Sequence, residues 1–127
     1  MTKPLVALAI SELIFQTRIS GSLTAAGYDV ILADDGDSLT DVLARSPAAV
    51  IVDLQGQDID ALGLIARARK DGIPVLAYGR HTRANELRQA REAGAALAVT
   101  RSQLVEELPD LVKTVLGGEP SSVPGDT

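Results

Sequence analysis

Ala48-Ala49-Val50-Ile51-Val52-Asp53 is an unbroken apolar run that ends on a carboxylate. A short run with no polar alternation reads as a strand buried on both faces, inside a parallel sheet covered by helices. In open sheets of that kind the chemistry gathers outside the carboxyl ends of the strands. Asp53 stands at that place, and the rest of the chain can be read outward from it.

Upstream, Leu5 to Ile10 is another continuous apolar run, and Tyr28 to Leu32 is a further strand. Between them, Glu12 to Ala26 carries Leu13, Ile14, Ile19 and Leu23 at helical spacing and stops at Gly27, a C-cap residue. Asp34-Asp35-Gly36-Asp37 is turn and cap chemistry leading into a helix over Ser38 to Arg45, which Ser46-Pro47 ends. The acidic cluster lacks the spaced carboxylates and closing Glu of a calcium loop. Downstream, Gln55 to Asp58 is a polar loop. Asp60 to Lys70 reads as a helix with Leu62, Ile65 and Ala66 inward and Leu64 as a further candidate. Pro74 to Tyr78 is a strand, Thr82 to Ala93 a polar helix with Leu87 and Ala90 inward, and Ala96 to Thr100 the last strand. Gln103 to Leu116 closes the pattern with Leu104, Leu108, Leu111, Val112 and Val115 on one stripe. Strands alternating with helices predict an α/β domain with a parallel sheet covered on both faces. Residues 117–127 (GGEPSSVPGDT) have no apolar period and are expected to be a tail or linker beyond a domain spanning 1–116.

Composition narrows the functions. The chain has 127 residues, which suits one domain, and is 46% hydrophobic. Its aromatics are Phe15, Tyr28 and Tyr78 alone, little surface for stacking bases. A net charge of −5 repels nucleic acid and anionic lipid, so neither is an expected partner. There is no cysteine, and His81 is the single histidine, which removes disulfides, thiolate metal sites and multi-histidine metal sites. No apolar segment is long enough to span a bilayer, and a cytoplasmic protein is the expectation.

Several short stretches resemble, in order and at matching separations, the receiver domain of two-component response regulators (the CheY-like family). They are Ala25-Ala26-Gly27-Tyr28-Asp29-Val30, Ala33-Asp34-Asp35-Gly36, Val50-Ile51-Val52-Asp53-Leu54, Ile73-Pro74-Val75 and Ala93-Gly94-Ala95. The resemblance covers roughly residues 4–116. It implies a flavodoxin-like (βα)5 fold with five parallel strands in the order 2-1-3-4-5. It also implies that Asp53 occupies the position of the aspartate that takes a phosphoryl group from a histidine kinase. The other functional positions depart from the pattern. The acidic pair that helps to hold Mg²⁺ falls on Ile10 and Ser11, with Glu12 one step further on. The hydroxyl residue at the end of strand four falls on Gly79, the aromatic switch residue on Ala98, and the lysine after strand five on Arg101. The proline after that lysine falls on Ser102, and the Pro-Gly pair after the phosphoacceptor falls on Gln57-Asp58.

These departures carry a chemical expectation. Moving a phosphoryl group onto a carboxylate brings two anions together, and a divalent cation bridging them lowers that barrier. Mg²⁺ wants octahedral oxygen ligands that include one or two carboxylates. Asp53 with Ser11 and Gln55 is a poor set, and only Glu12 could reach in to improve it. No cofactor is therefore expected, with Mg²⁺ bound only if that altered site still holds it. Without a phosphate, Arg101 is expected to pair with Asp53 and mimic a constitutive state. Arg80, His81 and Arg83, with Arg101, form a basic patch that is either an anion or partner site or a solvated face in which Glu86 and Glu92 pair with neighbouring arginines. Val99-Thr100-Arg101-Ser102 could be a phosphate-binding strand end, although no Gly-rich loop precedes it.

The expected function is that of an atypical pseudo-receiver. It is not an enzyme, and it acts by contact with a histidine kinase or a downstream signalling protein, or by dimerising through the face of its fourth helix, fifth strand and fifth helix. The alternatives are a working phosphoacceptor using Asp53 and a small anion- or nucleotide-binding domain on the same fold. The cobalamin motif Asp-x-His-x-x-Gly and the dinucleotide motif Gly-x-Gly-x-x-Gly are both absent.

Overall fold

The computed structural model describes residues 3–33, 36–56, 59–80 and 84–117, with side-chain positions left undescribed at 36 and 37. The strands are β1 (Leu5–Ala9), β2 (Asp29–Leu32), β3 (Ala49–Asp53), β4 (Val75–Gly79) and β5 (Leu97–Thr100). The helices are α1 (Leu13–Ala25), α2 (Gly36–Ala44), α3 (Ala61–Lys70), α4 (Ala84–Ala93) and α5 (Arg101–Gly117). All strand pairs are parallel, in the order β2-β1-β3-β4-β5. The expected α/β architecture and strand order are observed. Among the described residues no helix is long and apolar enough to cross a membrane.

The apolar runs are buried because helices cover both faces. On one face Ala7, Val50, Val52 and Ala77 pack under α2, α3 and α4 through Leu43, Ile65 and Ala90. On the other, Val6, Leu8, Ile51 and Leu76 pack under α1 and α5 through Phe15, Ile19, Leu104 and Val112. Successive residues of one strand feed opposite cores, as the two-residue period requires. Each buried aliphatic side chain contributes about 1.5–3 kcal/mol over the exposed state.

Helix registers differ from the expected ones in two places. In α1 the buried residues are Phe15, Gln16, Ile19 and Leu23, while Leu13 is 70% and Ile14 84% exposed. In α3 Ala61, Leu64, Ile65 and Ala68 face the core. Leu62, expected inward, is exposed, and so is Ala66. Both cases follow from geometry: about 100° separates adjacent residues, so the stripe that takes 15, 16, 19 and 23 leaves Leu13 and Ile14 outside it, and the stripe that takes 61, 64, 65 and 68 leaves Leu62 and Ala66 outside it.

Caps fix the ends. The Asp60 side chain accepts from the Gly63 N–H at 3.1 Å and starts α3. At α5 the start is two residues earlier than Gln103. Thr100 Oγ1 accepts from the Gln103 N–H at 3.1 Å, and Gln103 Oε1 accepts from the Thr100 N–H at 3.1 Å, a reciprocal capping box. The Thr100 groups that could have met a phosphate are thus spent on the helix. Inside α5, Glu107 leaves helical geometry (φ −121°, ψ 21°) two residues before Pro109. Proline has no N–H to give to the preceding turn and its ring crowds that turn.

Gly94 ends α4 at φ +121°, and a Cβ there would collide with the Arg69 side chain. Gly94→Ala is expected to lower stability by about 2 kcal/mol or more, because side-chain-bearing residues avoid that backbone region and Arg69 must also move. Urea denaturation of the two proteins measures it.

Candidate functional site

The register brings the carboxyl ends of the central strands level. Asp53 pairs with Tyr78, and Gly79 with Thr100. Above them lies a cavity of about 370 Å³. Ser11, Glu12, Asp53, Gln55 and Gly79 line it, and Arg80 and Arg101 close it. Most of the expected positions therefore converge. Ile10 does not join them, being wholly buried with the core under α1 and α5. Ala98 packs against the opposite core. His81, Arg83, Asp34, Asp35, Gln57 and Asp58, and residues 118–127, lie outside the described residues.

Arg101 is not paired with Asp53. Its Nη2 donates to Glu12 Oε1 at 2.6 Å, and its guanidinium lies 3.9 Å from the centre of the Phe15 ring. The expected Arg101–Asp53 pair is corrected by that geometry. Phe15 gives the flat cation a platform on α1, and Glu12 is one turn back along the same helix. Arg101 also sits at the positive end of α5, an unfavourable place for a cation that the Glu12 carboxylate offsets. Glu12 is the N-cap residue of α1 yet makes no side-chain cap hydrogen bond. Both partners are about half exposed, so the ion pair itself is worth at most about 1 kcal/mol.

Asp53 is held from its own loop. Its Oδ1 accepts from the Gln55 N–H at 2.8 Å. The Gln55 side chain reaches across to α4, with Nε2 donating to Glu86 Oε1 at 3.2 Å. Among the described residues Glu86 pairs with no arginine, and Arg83, three residues before it, lies outside them. Arg88 donates to Asn85 at 2.8 Å, and Arg91 reaches the Ala98 carbonyl at 3.4 Å. A Cβ on Gly79 would meet Glu86 Oε1 and Leu54 Cδ1 at 3.5 Å, ordinary contact distances, so the backbone there tolerates a side chain.

Three site residues escaped the sequence reading. Phe15 lies tilted against Tyr78, with ring centres 5.3 Å apart. Gln16 is buried and donates from Nε2 to the Ile10 carbonyl at 2.8 Å, which anchors the turn carrying Ser11 and Glu12. Tyr78 is 2% exposed, and its hydroxyl has no hydrogen-bond partner of ordinary geometry among the described residues. Burial pushes the Tyr78 phenol well above its ordinary value. The Asp53 charge adds to the rise, Arg101 opposes it and Glu12 adds a little. A hydrogen-bonding approach to the Asp53 carboxylate adds further to the rise, so Asp53 is the group the Tyr78 hydroxyl leans toward, at the edge of hydrogen-bond geometry. The signal for Phe15 was its place four residues before Ile19 and eight before Leu23. Tyr78 gave none beyond being an aromatic beside Gly79.

No family model matches the chain, and no curated protein matches its sequence. Solved structures do. The receiver domain of Francisella response regulator 1452 superposes with a TM-score of 0.79 at 19% identity, over 91% of this chain and 98% of that one. The receiver domain of NtrX from Brucella abortus gives 0.78 at 21% identity, over 89% and 98%. The chain has the receiver-domain fold. Full-length FixJ from B. japonicum matches with a TM-score of 0.80 at 18% identity, over 96% of this chain and 61% of that longer one. The receiver fold puts Asp53 at the end of β3, in the crevice where the strand order turns outward from β1.

Proposed function

We propose that this chain is a receiver-type signalling module that acts through a protein partner, without Mg²⁺-dependent phosphoryl transfer at Asp53. The observation that carries this reading is the engagement of Arg101 with Glu12. Among the described residues, the carboxylate that shares the cavity with Asp53, Glu12, is occupied by a guanidinium. The preceding positions are a buried isoleucine and a serine. Among the described residues no cluster of His, Asp or Glu could hold a metal. A hard cation that demands several oxygens in octahedral array does not suit that set. The cytoplasm is the compartment in which such a module works. Its partner is a histidine kinase, a downstream signalling protein, or a second copy through α4, β5 and α5. Exposed Leu13 and Ile14, next to Glu12, offer such a partner apolar contact beside the cavity.

Incubation with acetyl phosphate, with and without Mg²⁺, tests the reading by intact mass. The expected result is no gain of a phosphoryl group under either condition. A Mg²⁺-dependent gain that Asp53→Asn abolishes would make the chain a working phosphoacceptor instead.

A further inference from the structure

At the end of the sheet opposite Asp53, the amino ends of β4 and β5 open onto a cavity of about 430 Å³. Arg69, Ile73, Pro74, Leu97, Thr114 and Leu116 are in its lining. The lining is mostly apolar, and Leu97 and Leu116 are only partly buried. Arg69 is the charged residue at its edge. The Arg69 stem is packed across Gly94, where a Cβ would meet Arg69 Cβ and Cγ at 3.2 Å. Its side chain makes no hydrogen bond or ion pair among the described residues. Arg67 and Lys70 join it in the last turn of α3, against one carboxylate, Asp71, at the cap. Nothing at the Asp53 end of the sheet accounts for an apolar hollow with an unpaired guanidinium at its rim.

We propose that this cavity is the docking site for a segment of the chain itself, residues 119–124, which follow α5. The last turn of α5, Thr114 to Leu116, is one wall, so the chain leaves the helix at the cavity rim. Gly117-Gly118 allows the backbone to reverse there. The seven residues 118–124 reach about 23 Å when extended, at about 3.3 Å each, ample to cross an opening of this size. Glu119 supplies a carboxylate for Arg69, and Val123 with Pro124 supplies apolar cover for Ile73, Leu97 and Leu116. Pro120 and Pro124 suit the role. Each fixes φ and neither brings an N–H that needs a partner, so ordering the segment costs less. A second copy or a foreign peptide would have to bring the same chemistry from solution, whereas a tethered segment is present at an effective concentration on the order of millimolar.

Paramagnetic relaxation in the full 127-residue chain tests the docking. The chain has no cysteine, so Ser122→Cys takes a single nitroxide label. The methyl signals of Ile73, Leu97 and Leu116 are expected to broaden, while those of Ile14, at the other end of the sheet, keep their intensity. Glu119→Arg is expected to lower the ratio of docked to undocked chains about fivefold, the weight of an exposed ion pair, and adding Arg69→Glu is expected to restore it. Val123→Ser is expected to lower the ratio about tenfold through lost apolar cover. Glu119→Arg and Val123→Ser leave residues 1–116 unchanged, so a lost contact cannot be mistaken for lost folding. No broadening at Ile73, Leu97 and Leu116, equal broadening at Ile14, or broadening that neither substitution reduces overturns the proposal. So does broadening of equal strength in isotope-enriched, unlabelled chain mixed with the spin-labelled one, which would make the occupant a second copy. None of these readouts involves Asp53 or Mg²⁺.

Discussion

Phe15→Ala is expected to lower unfolding free energy by about 3–5 kcal/mol, the usual cost of emptying a buried phenylalanine site. Phe15 is 4% exposed and does three things at once. It packs with Ile19 and Leu23 under β1 and β3, tilts against Tyr78 at 5.3 Å, and carries Arg101 at 3.9 Å. A loss of that size is a large share of the 5–15 kcal/mol typical of a small domain. Leu13→Ser and Ile14→Ser, one and two residues away, are expected to change stability by no more than about 0.5 kcal/mol, because both side chains are exposed. Denaturant titration of the three variants measures the contrast. If Leu13 or Ile14 costs as much as Phe15, the register of α1 is wrong and so is the platform under Arg101.

That contrast marks how far the sequence could be read. The strands were legible because a sheet covered on both faces demands unbroken apolar runs, and Val50-Ile51-Val52 and Val75-Leu76-Ala77 supply them. The order 2-1-3-4-5 came with the family resemblance, and the superpositions bear it out as a fold. Helix facing was less legible. Leu13-Ile14-Phe15 is apolar throughout, and only the 15-19-23 spacing separates the core residue from its neighbours. The break at Glu107 had a plain signal in Pro109, two residues on.

The site was legible as a place and illegible as a set of pairings. Asp53 and Arg101 could be assigned to the same strand ends by position alone. Arg101 goes to Glu12 with its guanidinium 3.9 Å from the Phe15 ring, a packing arrangement that no motif encodes. With Glu12 taken, Asp53 keeps an unneutralised charge beside a buried phenol. Moving Arg101 from Asp53 to Glu12 removes the constitutive mimic and leaves Tyr78 and Asp53 together in the lining of the cavity.

Tyr78 provides the sharper test, because its two truncations should move stability in opposite directions. Tyr78→Phe removes a buried hydroxyl that has no partner of ordinary geometry among the described residues, and keeps the ring on Phe15. It is expected to stabilise the protein by about 1–2 kcal/mol, the desolvation cost of that hydroxyl. Tyr78→Ala also removes the ring and is expected to cost about 3–5 kcal/mol. A pH series adds an independent reading. The Tyr78 phenol is raised above its ordinary value of 10.0 by burial first and by Asp53 second. Below pH 10 both folded and unfolded chains hold the proton, and Tyr78 contributes no pH dependence. Above it the unfolded chain ionises while the folded one does not, so stability falls by up to about 1.4 kcal/mol per pH unit from this one group. Tyr78→Phe should remove that share of the alkaline loss. A phenylalanine variant that is less stable than the parent at neutral pH would mean that the hydroxyl is already satisfied, with the Asp53 carboxylate as its partner.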